Sequence, residues 1–151
     1  MLKLRIVTPE RILLETDAAS ATLPTKLGQI TVLPGHIPLV ANLVPGEIRY
    51  KAAGAGEDEQ FFAVSGGFIE IRPGNEVVVL ADTAEFGHEI DIERAEQARE
   101  RARLLMSESV KDEESFADAV AIMEKSLARL KVARKHRTHT KSNLESGNLS
   151  E

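Results

Sequence analysis

The hydrophobic pattern of this chain changes period once, near Gly87, and that change restricts the folds open to it more than any single motif does. Before it, apolar residues recur at every second position; after it, at every third or fourth. Leu2, Leu4 and Ile6 alternate with Lys3 and Arg5, and Ile48 and Tyr50 with Glu47, Arg49 and Lys51, while Phe68, Ile69 and Ile71 bracket Glu70 and Arg72. These are half-buried strands. Turn signals fall between them at Thr8-Pro9, Leu23-Pro24, Pro34-Gly35, Pro45-Gly46, Gly54-Ala55-Gly56, Ser65-Gly66-Gly67 and Pro73-Gly74. A spacing of roughly 8–12 residues between such signals is that of an antiparallel sandwich or barrel, here with about eight to ten short strands. The run Glu76 to Ala81 lacks alternation in its middle and reads as a strand covered on both faces.

After Gly87, Asp91 is placed to cap a helix. Ala95, Ala98, Ala102 and Leu105 then share one stripe, with Glu93, Glu96, Arg99, Glu100 and Arg103 on the solvent side. Alanines there would let another surface approach closely. A break at Ser107 to Lys111 precedes a second cap, Asp112, with Glu113 and Glu114 suited to the positive end of a helix dipole. Phe116, Val120, Met123, Leu127 and Leu130 follow at intervals of four and three, the spacing of a coiled-coil seam, and Arg134, Lys135 and Arg137 suit a helix C-terminus. The expected fold is α+β: a sandwich over 1–87, an antiparallel two-helix hairpin over 88–137, and a polar tail over 138–151 that reads as disordered.

Bulk properties exclude several function classes. At 151 residues with 42% hydrophobic and 28% charged residues, the chain suits a globular protein with one core and a small appendage. No window approaches the roughly 20 apolar residues of a membrane span, and the opening residues run straight into strand alternation instead of a signal-peptide core. Membrane association is therefore expected through partners. There is no cysteine, so disulfides, thiolate metal sites and thiol nucleophiles are ruled out. Of 19 basic and 24 acidic residues, 7 and 11 precede the split at Gly87 and 12 and 13 follow it. Neither part has the positive bias of a nucleic-acid binder.

The densest loop is Leu33-Pro34-Gly35-His36-Ile37-Pro38-Leu39. His36 as a general base would need a nucleophile or an orienting carboxylate, and no Gly-x-Ser-x-Gly elbow or similar set accompanies it, so a rigid turn is the better reading. Ser65-Gly66-Gly67 lacks the helix that a phosphate loop opens and reads as a bend or bulge. His136 and His139 share a helical spacing but have no third ligand nearby, which argues against a metal. The basic run Lys131 to Lys141 carries no interleaved aromatic residue and reads as a solvated helix end. In Ile90-Asp91-Ile92-Glu93-Arg94-Ala95, a capping Asp and a first-turn Glu explain most of the pattern without a ligand.

Taken together, Ile6-Val7-Thr8-Pro9-Glu10, Leu33 to Leu39, Gly66-Gly67-Phe68-Ile69-Glu70, Val78-Val79-Leu80-Ala81-Asp82, the Ile-Asp-x-x-Arg-Ala segment and Leu127-Ala128-Arg129-Leu130-Lys131-Val132 resemble the epsilon subunit of bacterial and plastid F-type ATP synthases. The motifs keep the family's order and spacing over residues 1 to about 135. The resemblance implies a non-catalytic rotor subunit, peripheral on the cytoplasmic face of the bacterial inner membrane, that couples proton-driven ring rotation to ATP synthesis. Its sandwich would bind the gamma subunit and rest on the membrane c-ring, with ring contact over Gln29, Pro34, Gly35, His36, Pro38 and Leu39. Its hairpin would lie folded on the sandwich or extend into the catalytic alpha/beta head and inhibit ATP hydrolysis.

No cofactor is required by the resemblance, but some members bind ATP as a regulatory ligand. Carried over, that site comprises Glu85, Asp91, Arg94, Ala95, Lys125 and Arg129. The family pattern has arginine where Lys125 stands, and lysine lacks the bidentate fork that holds a phosphate. A further departure lies before the Pro-Gly-His loop, where Gly-x-x-Gly becomes Gly28-Gln29-Ile30-Thr31. Thr31, being β-branched, does not comfortably adopt positive φ. A stand-alone ATP-sensing module is the competing function.

Overall fold

The computed structural model describes residues 1–147, with side chains described as far as Ser142. Nine strands precede two helices among these residues: β1 (Leu2–Val7), β2 (Ile12–Thr25), β3 (Gly28–Val32), β4 (Leu39–Leu43), β5 (Gly46–Ala52), β6 (Glu59–Val64), β7 (Gly67–Arg72), β8 (Glu76–Ala81) and β9 (Ala84–Phe86). A single 3-10 turn, Gly87–Glu89, leads into α1 (Ile92–Glu108) and α2 (Glu113–Gly147). One layer runs β1-β8-β7-β4 and the other β3-β2-β5-β6-β9. The long β2 belongs to both, pairing β1 through Ile12 to Ala18 and β3 and β5 through its second half.

The alternation read in the sequence sends Leu2, Leu4, Ile6, Ile48, Phe62, Ile69, Val77 and Val79 into one core between the layers. Burying such side chains supplies roughly 1.5–3 kcal/mol each, which is what makes the sandwich a folding unit. Leu80 departs from the expectation for its strand: it lies on the outer face of β8, 47% exposed, because no described element packs over it, whereas Val78 on the same face is buried among its strand neighbours. Gly67 has φ +154°, and a Cβ there would fall on the Leu80 carbonyl oxygen, so this strand start admits only glycine. Gly28 carries the positive φ of its turn, at +116°, while Thr31 lies extended within β3 and shares a 3.0 Å hydroxyl contact with Thr22. The second family glycine is therefore not needed here.

Both expected caps form. Asp91 accepts a hydrogen bond from the Arg94 backbone N–H at 3.2 Å, and Asp112 accepts from the Glu114 N–H and the Ser115 hydroxyl. Three expectations for the hairpin are corrected. First, residues 138–147 continue α2 instead of being disordered; the remainder of the expected tail lies outside the described residues. Helix propagation adds one bond per residue once nucleated, no Pro or Gly interrupts before Gly147, and Thr138 and Thr140 donate their hydroxyls to the carbonyls of Arg134 and His136. Second, Arg134, Lys135 and Arg137 are thus mid-helix, not terminal.

Third, Phe116 and Leu127 of the expected seam are 38% and 48% exposed, while Ala119, Ser126, Ala128, Leu130, Val132 and Ala133 are buried. α2 packs on α1 and also on β5 and β6, so its buried arc is wider than a two-helix seam and is rotated away from Leu127. Ala95 and Ala102 of α1 are fully buried, whereas Leu105 is 43% exposed.

Candidate docking surfaces

Strand alternation gives each layer an outer face, and the two outer faces differ. On β5, β6 and β9, Glu47 stands opposite Ala63, and Ala63 opposite Glu85, in one continuous row across three strands. α2 lies over this row. Arg129 grips Glu85 with two bonds, Nε to Oε2 at 2.7 Å and Nη2 to Oε1 at 3.2 Å. Val132 and Ala133 pack on Ala63, together with Ile90. Lys135 Nζ donates to Glu47 Oε1 at 2.7 Å and stands 5.6 Å from the centre of the Phe61 ring. Six residues of helix rise about 9 Å and two strand spacings measure about 9.5 Å, so the cation–apolar–cation stripe of the helix matches the carboxylate–alanine–carboxylate row of the sheet. Gly87 permits the close approach: a Cβ on it would meet His136 Cβ at 3.0 Å and Val132 Cγ1 at 3.3 Å.

Of the residues expected around a nucleotide, the structure pairs Glu85 with Arg129 directly. Lys125 precedes Arg129 by one turn of α2 and is half-buried, Asp91 is engaged in capping, Arg94 is exposed on the first turn of α1, and Ala95 is buried.

The other layer leaves its outer face open. Across it, Arg5 neighbours Val78, Val78 neighbours Glu70, and Glu70 neighbours Val40; in the next row Val7, Leu80, Phe68 and Asn42 follow one another. The face is charged at one end, where Arg72 bonds Glu70 at 2.9 Å and contacts Glu76 at 3.7 Å. The hydrogen bond from Arg72 holds the Glu70 carboxyl below its ordinary range. Towards the other end Phe68, 56% exposed, lies beside Leu80, with Val7 and Pro9 bordering the same shallow cleft, and Val40, 70% exposed, stands between this patch and the charged end, next to Glu70. Three large apolar side chains turned to solvent on one face make it a candidate contact surface.

The expected ring-contact residues fall in two places. The Leu33–His36 turn closes with a His36 N–H to Leu33 carbonyl bond of 3.1 Å, with Gly35 at φ +86°, and the Gly35 N–H donates to the Asn75 side chain at 2.8 Å. His36 Nδ1 lies 2.6 Å from the Ile37 carbonyl. Pro34, Gly35, Pro38 and Leu39 are exposed around this turn, with Ile37 74% exposed at its tip. Gln29 is also exposed but is the second residue of β3, roughly 13 Å of strand from the turn. Ser65 serves as a tether, its Oγ accepting from the Thr83 N–H at 2.8 Å. No cluster of three metal-ligating side chains occurs among the described residues.

Sequence reading did not reach Glu47, Lys135, Val40 or the outward role of Phe68. An aromatic in phase with Glu70 and Arg72 was the available signal for Phe68. For Glu47 there was none, since an outward strand glutamate ordinarily meets water.

This arrangement is that of a β-sandwich with one face occupied by its own helical hairpin and the opposite face uncovered by any described element. Residues 1–87 match the family model of the ATP synthase delta/epsilon chain beta-sandwich domain, and residues 88–134 that of the long alpha-helix domain. The chain belongs to the ATP synthase delta/epsilon family, among its epsilon chains. The ATP synthase epsilon chain of Dehalococcoides mccartyi is 41% identical over 138 residues, covering 91% of this chain and 96% of the relative. That of Moorella thermoacetica is 43% identical over 132 residues, covering 87% and 96%. Among solved structures, a chain of the Euglena gracilis mitochondrial ATP synthase, in an assembly containing F1 and the c-ring, matches with a TM-score of 0.74 at 26% identity, covering 87% of this chain and 80% of that one. A chain of the Tetrahymena thermophila central stalk and c-ring shares the fold, with a TM-score of 0.51 at 15% identity over 59% of this chain and 69% of that one.

Proposed function

We propose that this chain is a non-catalytic central-stalk subunit of a proton-translocating ATP synthase that couples ring rotation to synthesis and restrains ATP hydrolysis through its hairpin. The observation that carries the reading is the open apolar face of Val40, Phe68 and Leu80, opposite the layer covered by α2. We assign that face to the gamma subunit. The rigid Pro34 to Leu39 loop, fastened to Asn75, is assigned to the polar loops of the membrane ring. No described helix is long and apolar enough to cross a membrane, in keeping with attachment through these partners at the cytoplasmic face of a bacterial inner membrane.

The hairpin supports a regulatory role because, among the described residues, it meets the sandwich through a small apolar cluster and a few charged pairs, Arg129–Glu85, Lys135–Glu47 and His139–Asp58, an area that a second surface could match. Its contact with the alpha/beta head would follow from release. The test is ATP hydrolysis by the cognate catalytic head with gamma, with the full chain or with residues 1–87 added; the core of the sandwich is complete without the hairpin. Inhibition by the full chain, with binding but no inhibition by the shorter one, is expected. Failure of both to bind gamma would refute the assignment.

A regulatory nucleotide is the second element of the reading. It is favoured by Arg129, already held in place by Glu85, one turn from Lys125 and on the helix that covers the β9 end of the sandwich. The Lys125 departure makes the site weaker, with a point charge in place of a fork. Calorimetric titration with millimolar ATP tests it, and absence of heat with the full chain ends it.

A further inference from the structure

Of the contacts between charged groups that seat α2 on the sandwich, His139 to Asp58 at 3.5 Å lies at the exposed edge, and the two carboxylate pairs beneath the helix, Arg129–Glu85 and Lys135–Glu47, are not equivalent. Glu85 has both oxygens on Arg129. Glu47 has its side chain 2% exposed and only one oxygen satisfied; Oε2 is buried without a hydrogen-bond partner among the described residues. Its cation, Lys135, is 38% exposed and could return to water at little cost. Glu47 occupies an outward position of β5, so with α2 lifted away both of its oxygens would face solvent. Docking therefore strips water from a carboxylate and returns a single bond.

We propose that Glu47 is the release latch of the hairpin: its buried, half-satisfied carboxylate opposes docking, and Lys135 is the positioning residue whose charge makes docking tolerable. A buried charge whose partner is removed is strongly unfavourable, whereas an apolar replacement of the pair is often neutral or stabilising. The docked state is thus held close to balance at one point, while Arg129 and Glu85 fix its register. Only the consequence for inhibition rests on the function proposed above; the latch is a property of the isolated chain.

The absence of cysteine permits clean labelling. Spin labels on cysteines introduced at the exposed positions Leu27 and Arg137 report the distance between sandwich and α2 by pulsed electron resonance on the full chain. The parent should show one dominant docked distance. Lys135→Met should raise the undocked population about tenfold or more, and in the Glu47→Met background the same change should have no effect. If Lys135→Met leaves the distances unchanged, the latch does not exist. If it undocks the hairpin equally in both backgrounds, Lys135 acts through Phe61 and not through Glu47, and the proposal also fails. Because both positions lie outside the sandwich core, thermal unfolding of each variant separates undocking from misfolding. The hydrolysis assay is independent: it could fail with the latch intact, or succeed with the latch absent.

Discussion

Arg129 binds Glu85 through both Nε and Nη2, at 2.7 and 3.2 Å, across 44 residues of sequence. The guanidinium is 19% exposed and the carboxylate 34%, so the pair is partly shielded and geometrically strict. Lysine at this position keeps the charge but loses the fork. Arg129→Lys is expected to weaken docking of α2 by roughly 1 kcal/mol, intermediate between a surface pair and a buried one. Amide exchange in α2 should then accelerate about fivefold, with the sandwich strands unaffected.

Gly67 and Gly74 both have positive φ, at +154° and +82°, but only Gly67 faces an obstacle. A Cβ on Gly67 would overlap the Leu80 carbonyl, and β7 cannot retreat without breaking its ladder with β8. Gly67→Ala should destabilise the chain by about 3 kcal/mol or more, and Gly74→Ala, in open space, by about 1 kcal/mol. Urea denaturation of the two variants checks the order; equal losses would show that backbone conformation alone sets the cost.

The sandwich and hairpin were legible because their signals are local. Alternation in Leu2 to Ile6, punctuation at Pro45-Gly46 and the caps Asp91 and Asp112 each depend on neighbours within a few residues. What was not legible depends on packing at long range. Glu47 and Lys135 lie 88 residues apart, and no pattern says which helix stripe meets which strand row. The seam of Phe116 and Leu127 follows from spacing alone, and it shifted because α2 must satisfy a sheet as well as a helix. The polar stretch after Arg137 looked disordered by composition, yet helical propagation carried it to Gly147. Among the residues carried over by the resemblance, Glu85 and Arg129 stand side by side, while Gln29 lies roughly 13 Å of strand from the Leu33–His36 turn.

Tyr50 is the single tyrosine in a chain without tryptophan, which isolates its titration. Burial raises its phenol above the ordinary value, so the folded state keeps a proton that the unfolded chain has begun to release. This stabilising contribution is fully present below about pH 10, the unfolded phenol value, and is lost as pH rises through the folded one. The tyrosinate absorbance should therefore titrate above pH 10 in native protein and shift down in urea. A native midpoint at or below the urea midpoint would contradict the burial seen beside Phe62, 5.8 Å away between ring centres.

Phe68, 56% exposed between Leu80 and Asn42, tests the open face most directly. Its side chain contributes little to the core, which lies on the opposite side of β7 at Ile69 and Ile71, so Phe68→Glu should change stability by no more than about 1 kcal/mol. If this face docks the gamma subunit, an aromatic at the centre of the apolar patch should be among its strongest contacts, and the introduced charge would be buried unpaired on binding. Affinity for gamma is expected to fall at least about thirtyfold, a loss of roughly 2 kcal/mol or more. The same substitution at His36, in the turn assigned to the ring, should leave gamma binding intact while weakening coupling in membranes. If Phe68→Glu binds gamma normally and His36→Glu does not, the two surfaces have been assigned the wrong way round, with the rigid turn as the stalk contact and the sheet face directed elsewhere.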